Sequence, residues 1–172
     1  MARGSNATAR LVARASQASA FAIATPLTPV GFYPKAGLLP AVVEVRDQPA
    51  SWNQPGQTRK LMLSDGGSVI EHITNVEPND SFAYDLTEFQ KVFGRLVDHA
   101  RAEWTFTSVA AGTEILWSYT FFPKRGGGAI LSLIVRLLWG PYMQKVLPGI
   151  VAEVERQDSG GTPANPATRM SC

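Results

Sequence analysis

The chain has 172 residues, with 16 Lys and Arg against 14 Asp and Glu, a formal net charge of +2. That length fits one domain able to bury a sizeable core, and so small a charge excess gives no ground for nucleic-acid or anionic-membrane binding from net charge alone. The one cysteine, Cys172, stands at the last position, which excludes an internal disulfide framework and a cysteine metal cluster, and fits a reducing, cytoplasmic location.

No acidic residue precedes Glu44, and Arg3, Arg10 and Arg14 lie among Ser, Ala and Thr. Such a composition loosely mimics a transit peptide, but no apolar run follows the arginines, so residues 1–15 read as a disordered tail. Ser16 to Ala24, with Phe21 and Ile23 alternating with alanines, reads as a first strand, and Thr25-Pro26 as the cap of a short helix reaching Phe32. Up to Pro40 the prolines predict a short, irregular segment, a candidate lid or pocket mouth. Ala41 to Arg46 is a β-branched second strand, and Gln48 to Gly56 a loop.

Thr58 to Ser64 and Ser68 to Val76 flank Asp65-Gly66-Gly67, a hairpin turn whose positive φ glycine supplies. Glu77 to Asp80 is another turn and Ser81 to Phe89 another strand. Gln90 to Ala100 fits a helix or a structured loop. Arg101 to Thr107 and Thr113 to Phe122 are two aromatic strands, and Gly126-Gly127-Gly128 a hinge before an apolar helix from Ala129 to Arg156. Pro141 and Pro148 should kink or break that helix. Its apolar stretch to Trp139 is about half the ~20 residues a membrane span needs, and Arg136 interrupts it, so no integral membrane segment is expected. Residues 157–172, rich in Gly, Pro, Ser and Asn, read as a disordered C-terminal tail, leaving 16–156 as a single domain.

Strand alternation then sorts side chains onto two faces. In the Asp65–Gly67 hairpin, Leu61 is expected opposite Glu71 and Arg59 opposite Ile73, so that Arg59, Leu61, Leu63, Val69, Glu71 and Ile73 share one face with Phe82, Tyr84 and Leu86. In the last hairpin, Trp104 should pair with Trp117, Phe106 with Ile115 and Ala102 with Tyr119. The other face, with Lys60, His72, Asp85, Glu103 and Thr120, suits water. Arg59 and Glu71 are therefore charges on the inward face, diagonal to each other and within reach. They read as a salt bridge that holds the hairpin, as polar anchors in an apolar pocket, or, more actively, with Glu71 as a general acid/base assisted by Tyr84 or Tyr119. His72 and His99 have neither a metal-ligand spacing nor a nucleophile to serve, and no phosphate loop is present, so neither metal nor cofactor is expected.

The order strand, short helical segment, six-stranded meander and long C-terminal helix resembles the helix-grip fold of the SRPBCC superfamily, the START-like group that includes lipid-transfer domains and the polyketide cyclase/dehydrase family. The residues that carry the resemblance are Thr25-Pro26-Leu27 leading to Phe32, Gln57-Thr58-Arg59 before Ser64-Asp65-Gly66-Gly67, and Phe82-Ala83-Tyr84. Glu103 to Thr107, Gly112-Thr113, Trp117 to Phe121, Pro123-Lys124 and the helix after them continue it. It covers Ser16 to about Glu155.

The resemblance implies an α+β protein, a curved antiparallel sheet wrapped around the long C-terminal helix with an internal hydrophobic cavity. That cavity would take a lipid, polyketide or isoprenoid-like molecule, with Arg59, Leu61, Glu71, Ile73, Tyr84, Trp104, Phe106, Trp117, Tyr119, Leu138 and Tyr142 around it. The segment between Pro26 and Pro40 is shorter than the usual two-helix insertion. Two further functions stay open. One is a cyclase, dehydratase or aromatase using Glu71 or a tyrosine; the other is a protein-interaction or membrane-surface module built on the face from Leu131 to Trp139. The chain is expected to be a monomer or homodimer.

Overall fold

The computed structural model describes residues 4–160. Seven strands form one antiparallel sheet: β1 (Ser5–Ala13), β2 (Val42–Arg46), β3 (Thr58–Leu63), β4 (Ser68–Glu77), β5 (Ser81–Thr87), β6 (Val97–Val109) and β7 (Gly112–Pro123). Their order across the sheet is β1-β7-β6-β5-β4-β3-β2. Helix α1 (Gln17–Ala24) follows β1, and α2 (Lys91–Leu96) precedes β6. After β7 come α3 (Gly128–Ile134), a π-helical turn (Val135–Trp139) and α4 (Gly140–Asp158). The long helix lies over the inner face of the sheet, as the helix-grip fold requires.

The strict alternation of β7, where every second residue from Thr113 to Phe121 is buried, makes the inner face aromatic. Trp104 pairs with Trp117 and Phe106 with Ile115, as the pattern predicts. The two indoles stack 4.8 Å apart. Against them α4 buries Tyr142, Met143, Val146, Leu147, Ile150, Val151 and Val154, the three-and-four spacing of a helix face. Bulges after Ile73 in β4 and Val97 in β6 interrupt the ladders and help the sheet curve.

The N-terminal third differs from the sequence reading. The stretch taken as a tail is strand β1, paired with β7 along its whole length, Ala7 opposite Tyr119 and Ala9 opposite Trp117. Its inner residues Ala7, Ala9 and Ala13 are small because the last helix lies close, with a Cβ on Gly140 falling only 3.8 Å from that of Ala7. Its only large apolar residues, Leu11 and Val12, are both 38% exposed, so no alternation of large buried residues announces the strand. Ser16 to Ala24 is a helix and not a strand: Ser16 caps it by accepting from the Ser19 N–H, and alanine, the strongest helix former, fills it.

Thr25 accordingly ends a helix and does not begin one, its hydroxyl donating to the Phe21 carbonyl. From Pro26 to Ala41 there is no helix, only turns with one isolated bridge between Ala36 and Leu39. The residues left open at 90–100 divide into α2 and the first residues of β6. At the C-terminus Gln157 and Asp158 continue α4, and residues 161–172 of the expected tail lie outside the described residues.

Pro141 acts as anticipated, although through a π-turn and not a break. Proline lacks the N–H that would bond the Leu137 carbonyl and its ring crowds that turn. The helix widens just before it, and the Gly140 N–H reaches back five residues to the Val135 carbonyl. Helix α4 runs on through Pro148, which is exposed.

Candidate functional site

The β3–β4 hairpin sets the chemistry of the inner face. Its register is two residues from the expected one: Arg59 stands directly opposite Glu71, and Leu61 opposite Val69. The turn falls one residue earlier than expected, on Ser64-Asp65-Gly66, where the Leu63 N–H bonds the Gly67 carbonyl and the Gly66 N–H the Leu63 carbonyl. Because the slip is two residues, side chains keep their faces and the charges come closer. Arg59 Nε donates to Glu71 Oε2 at 2.5 Å, and both side chains are 5% exposed.

Two buried ions cost several kcal/mol each unless their remaining valences are met. Arg59 Nη1 donates to Gln48 Oε1 at 3.1 Å, and the guanidinium lies 4.4 Å from the centre of the Trp52 ring. Gln48 and Trp52 belong to the loop between β2 and β3, where the sequence offered no reason to expect a contribution. Trp52 is 1% exposed, so that loop is folded over the charge.

Beside the ion pair lies a cavity of about 80 Å³. The sheet supplies Leu61, Val69, Glu71, Tyr84, Leu86, Tyr119 and Phe121; the segment after α1 supplies Pro29, Tyr33 and Leu39. Phe89 and Phe93 close it near α2, and Trp139 and Tyr142 close it from the last helix. A smaller pocket of about 30 Å³ shares Pro29, Tyr33, Glu71 and Tyr84 with it and adds Arg59, Thr25, Phe82 and Trp104. Glu71 and Tyr84 thus stand between two spaces.

Of the candidate residues, Leu61, Glu71, Tyr84, Tyr119 and Tyr142 line the larger space, while Arg59 and Trp104 line the smaller one. Ile73, Phe106 and Trp117 line neither and sit in the packed core, and Leu138 packs against that core from the π-turn. Tyr33, Phe89, Phe93 and Trp139 were missed. Tyr33 and Phe93 lay in segments without a strand pattern, and Trp139 is aimed by the π-turn, which shifts every following side chain around the helix. Its ring meets Tyr119 at 4.9 Å and Phe121 at 5.2 Å.

All four tyrosines of the chain converge here. Burial raises the pKa of Tyr33, Tyr84, Tyr119 and Tyr142, and the charge of Glu71 pushes the first three further in the same direction. Each is therefore a neutral hydroxyl that can donate a hydrogen bond, and none is a base. The Tyr142 hydroxyl donates to the Pro34 carbonyl at 2.8 Å. The indole N–H of Trp139, in the cavity wall, is buried without a partner, as are those of Trp52 and Trp117. An orphaned buried donor costs about 1–3 kcal/mol, so an acceptor brought to it would be rewarded.

Glu88 and Lys91, either side of Phe89 and Gln90, have φ of 55° and 56°. Left-handed backbone at two such residues is strained. The strain falls on the wall of the cavity. His72 meets Thr87 Oγ1 at 2.8 Å, His99 stacks on Phe122, and among the described residues no group of three metal-ligating side chains could hold a metal ion.

A curved sheet gripping a helix over an apolar space with a few convergent polar groups defines a START-like protein. Residues 6–155 match the family described as polyketide cyclase / dehydrase and lipid transport, and the chain belongs to that family. Comparison with curated proteins gives no match. Among solved structures, the chain is similar to the Zhui aromatase/cyclase from Streptomyces sp. R1128, at 15% identity and a TM-score of 0.66, over 93% of this chain and 100% of that one. It is also similar to Ara h 8.0201, at 16% identity and a TM-score of 0.59, over 87% and 99%. A third likeness is to major latex-like protein 151 of Panax ginseng, at 11% identity and a TM-score of 0.59, over 87% and 96%. At these identities the likeness is one of fold.

Proposed function

We propose that this protein binds a hydrophobic small molecule between the sheet and the C-terminal helix, its polar end toward Glu71 and the tyrosines. The observation that carries the reading is the convergence of all four tyrosines on one mainly apolar cavity beside a buried ion pair. Apolar walls supply affinity, and a few fixed donors and acceptors supply orientation. The ligand that fits is an apolar body with a hydroxyl or carbonyl oxygen, which tyrosine hydroxyls or the Trp139 indole N–H can meet.

The cavity holds about 80 Å³, against the ~300–1,000 Å³ usual for such sites, so binding requires its walls to part. The strained stretch from Glu88 to Lys91 and the irregular segment from Pro26 to Ala41 are the walls best able to do so. Solvent extraction and mass spectrometry of the purified protein should release an apolar compound. A neutral apolar probe such as Nile red should then bind the emptied protein saturably, at one site per chain. A protein that yields nothing and takes up no probe would overturn the reading.

A second reading is an enzyme of cyclase, dehydratase or aromatase type, favoured by the position of Glu71 and Tyr84 between the two spaces. Glu71 would take a proton from a folded substrate and a tyrosine would donate to its oxygen. Glu71→Gln separates the readings, provided the variant is shown to be folded. Simple binding should keep probe affinity within about tenfold, whereas an acid/base enzyme should lose about 10²-fold or more in turnover.

A further inference from the structure

The three segments that wall the cavity each turn a neighbouring apolar side chain out to solvent. Leu39 lines the space and Leu38 beside it is 83% exposed; Phe93 lines it and Val92 is 68% exposed; Trp139 lines it and Leu137 is 55% exposed. One turn and two turns before Leu137, Leu133 and Ile130 on α3 are also exposed. Among the described residues nothing covers these side chains.

Cations stand among them. Lys35, Lys91, Arg95, Lys124, Arg125 and Arg136 are all exposed, and none forms an ion pair among the described residues. Lys124 ties the turn before α3 to α2, its Nζ donating to the Gly94 carbonyl at 2.6 Å. Asp65, Glu88 and Asp98 are the acids nearby, and from Lys124 to Ala152 the chain has no acid at all. In a chain whose total is only +2, these six cations lie on or next to the segments that wall the cavity.

We propose that this rim docks on the surface of an anionic lipid bilayer, so that an apolar ligand passes between bilayer and cavity without crossing water. Exposed leucines and valine would enter the interface while the cations meet lipid headgroups, the combination by which soluble proteins lie on membranes. No helix is long and apolar enough to cross one, which fits a surface contact. A second copy of the chain is the poorer occupant, because a two-fold contact would set these cations against themselves. The inference extends the binding reading but rests on surface residues outside the cavity.

Co-sedimentation of the full chain with vesicles tests it. The protein should pellet with phosphatidylcholine vesicles containing roughly a third phosphatidylglycerol, remain free with phosphatidylcholine alone, and be released by high salt. Arg95→Ser with Arg125→Ser should weaken partition by about fivefold per cation removed. Val92→Glu with Leu137→Glu should abolish it. None of these four residues lines the cavity, so both variants should keep the parent melting temperature and Nile red uptake from solution. Failure of the parent to bind anionic vesicles, equal binding to neutral ones, or indifference to both pairs of substitutions would overturn docking. So would a dimer that the glutamates dissociate, which would assign the face to a second copy. Loss of docking with probe uptake intact leaves the cavity reading standing, and the reverse result leaves docking standing.

Discussion

Two hairpins of the same sheet, β6–β7 and β3–β4, face the same helix and do different things. The inner face of the first is mainly aromatic, and its middle is filled: Trp104 lies on Trp117, Phe106 on Phe21, and Trp117 and Phe106 are at most 1% exposed, while only its Tyr119–Phe121 end reaches the larger cavity. The second has an ion pair in place of the aromatic stack, and free space beside it. A close-packed hairpin holds the helix, whereas one with charges cannot close up, because packing apolar groups onto the ions would leave their hydrogen bonds unmet. The difference places rigidity on one side of the sheet and chemistry on the other.

The largest effects should come from opening each hairpin in its own way. Trp117→Ala should cost about 3–5 kcal/mol through the cavity it leaves, read by urea denaturation. Glu71→Ala should cost about 3–5 kcal/mol for another reason, an uncompensated Arg59, and Arg59→Met with Glu71→Met should recover most of that loss. If the double variant stays as unstable as the single one, the ion pair is not what distinguishes β3–β4. The exposed Arg46–Glu44 pair on β2 gives the control, and cutting it should leave the urea midpoint almost unchanged, because water screens both charges.

Alkali should reach the tyrosines next. Their folded pKa values are raised above the ordinary value near 10, so the neutral form favours the fold. The resulting stability is full below that value and is lost as pH climbs through it toward the folded values. Tyrosinate absorbance should therefore stay low past pH ~10 and then rise together with loss of structure. Since these are the chain's only tyrosines, early and gradual ionisation would mean that the cavity is open to water.

The smallest expected effect lies at the cavity wall. Glu88→Gly and Lys91→Gly relieve left-handed backbone but add chain entropy when unfolded, so stability should shift by less than about 1 kcal/mol either way. Probe uptake should be faster if this stretch is the wall that parts. Unchanged uptake rates in both variants would move the opening to the segment between Pro26 and Ala41.

The sequence by itself determined most of the sheet and its inward face. Period-two alternation from Thr58 to Phe122 assigns each side chain to water or core, and a charge on the core side, Arg59 or Glu71, is conspicuous without any coordinates. It also announced the long helix and its disturbance at Pro141. Tertiary structure decided what local pattern does not encode. Strand β1 is visible only as a partner of β7, because close approach of the last helix calls for alanines, which fit helix or coil equally well. The face-to-face register of Arg59 and Glu71 depended on the turn falling at Ser64–Gly66, one residue before Asp65–Gly67. The cavity itself is assembled from Tyr33, Phe93 and Trp139, far apart in sequence and placed by a turn, a short helix and a π-turn. A space between elements belongs to none of their patterns, since each pattern records only whether a residue is buried, not whether its neighbours meet.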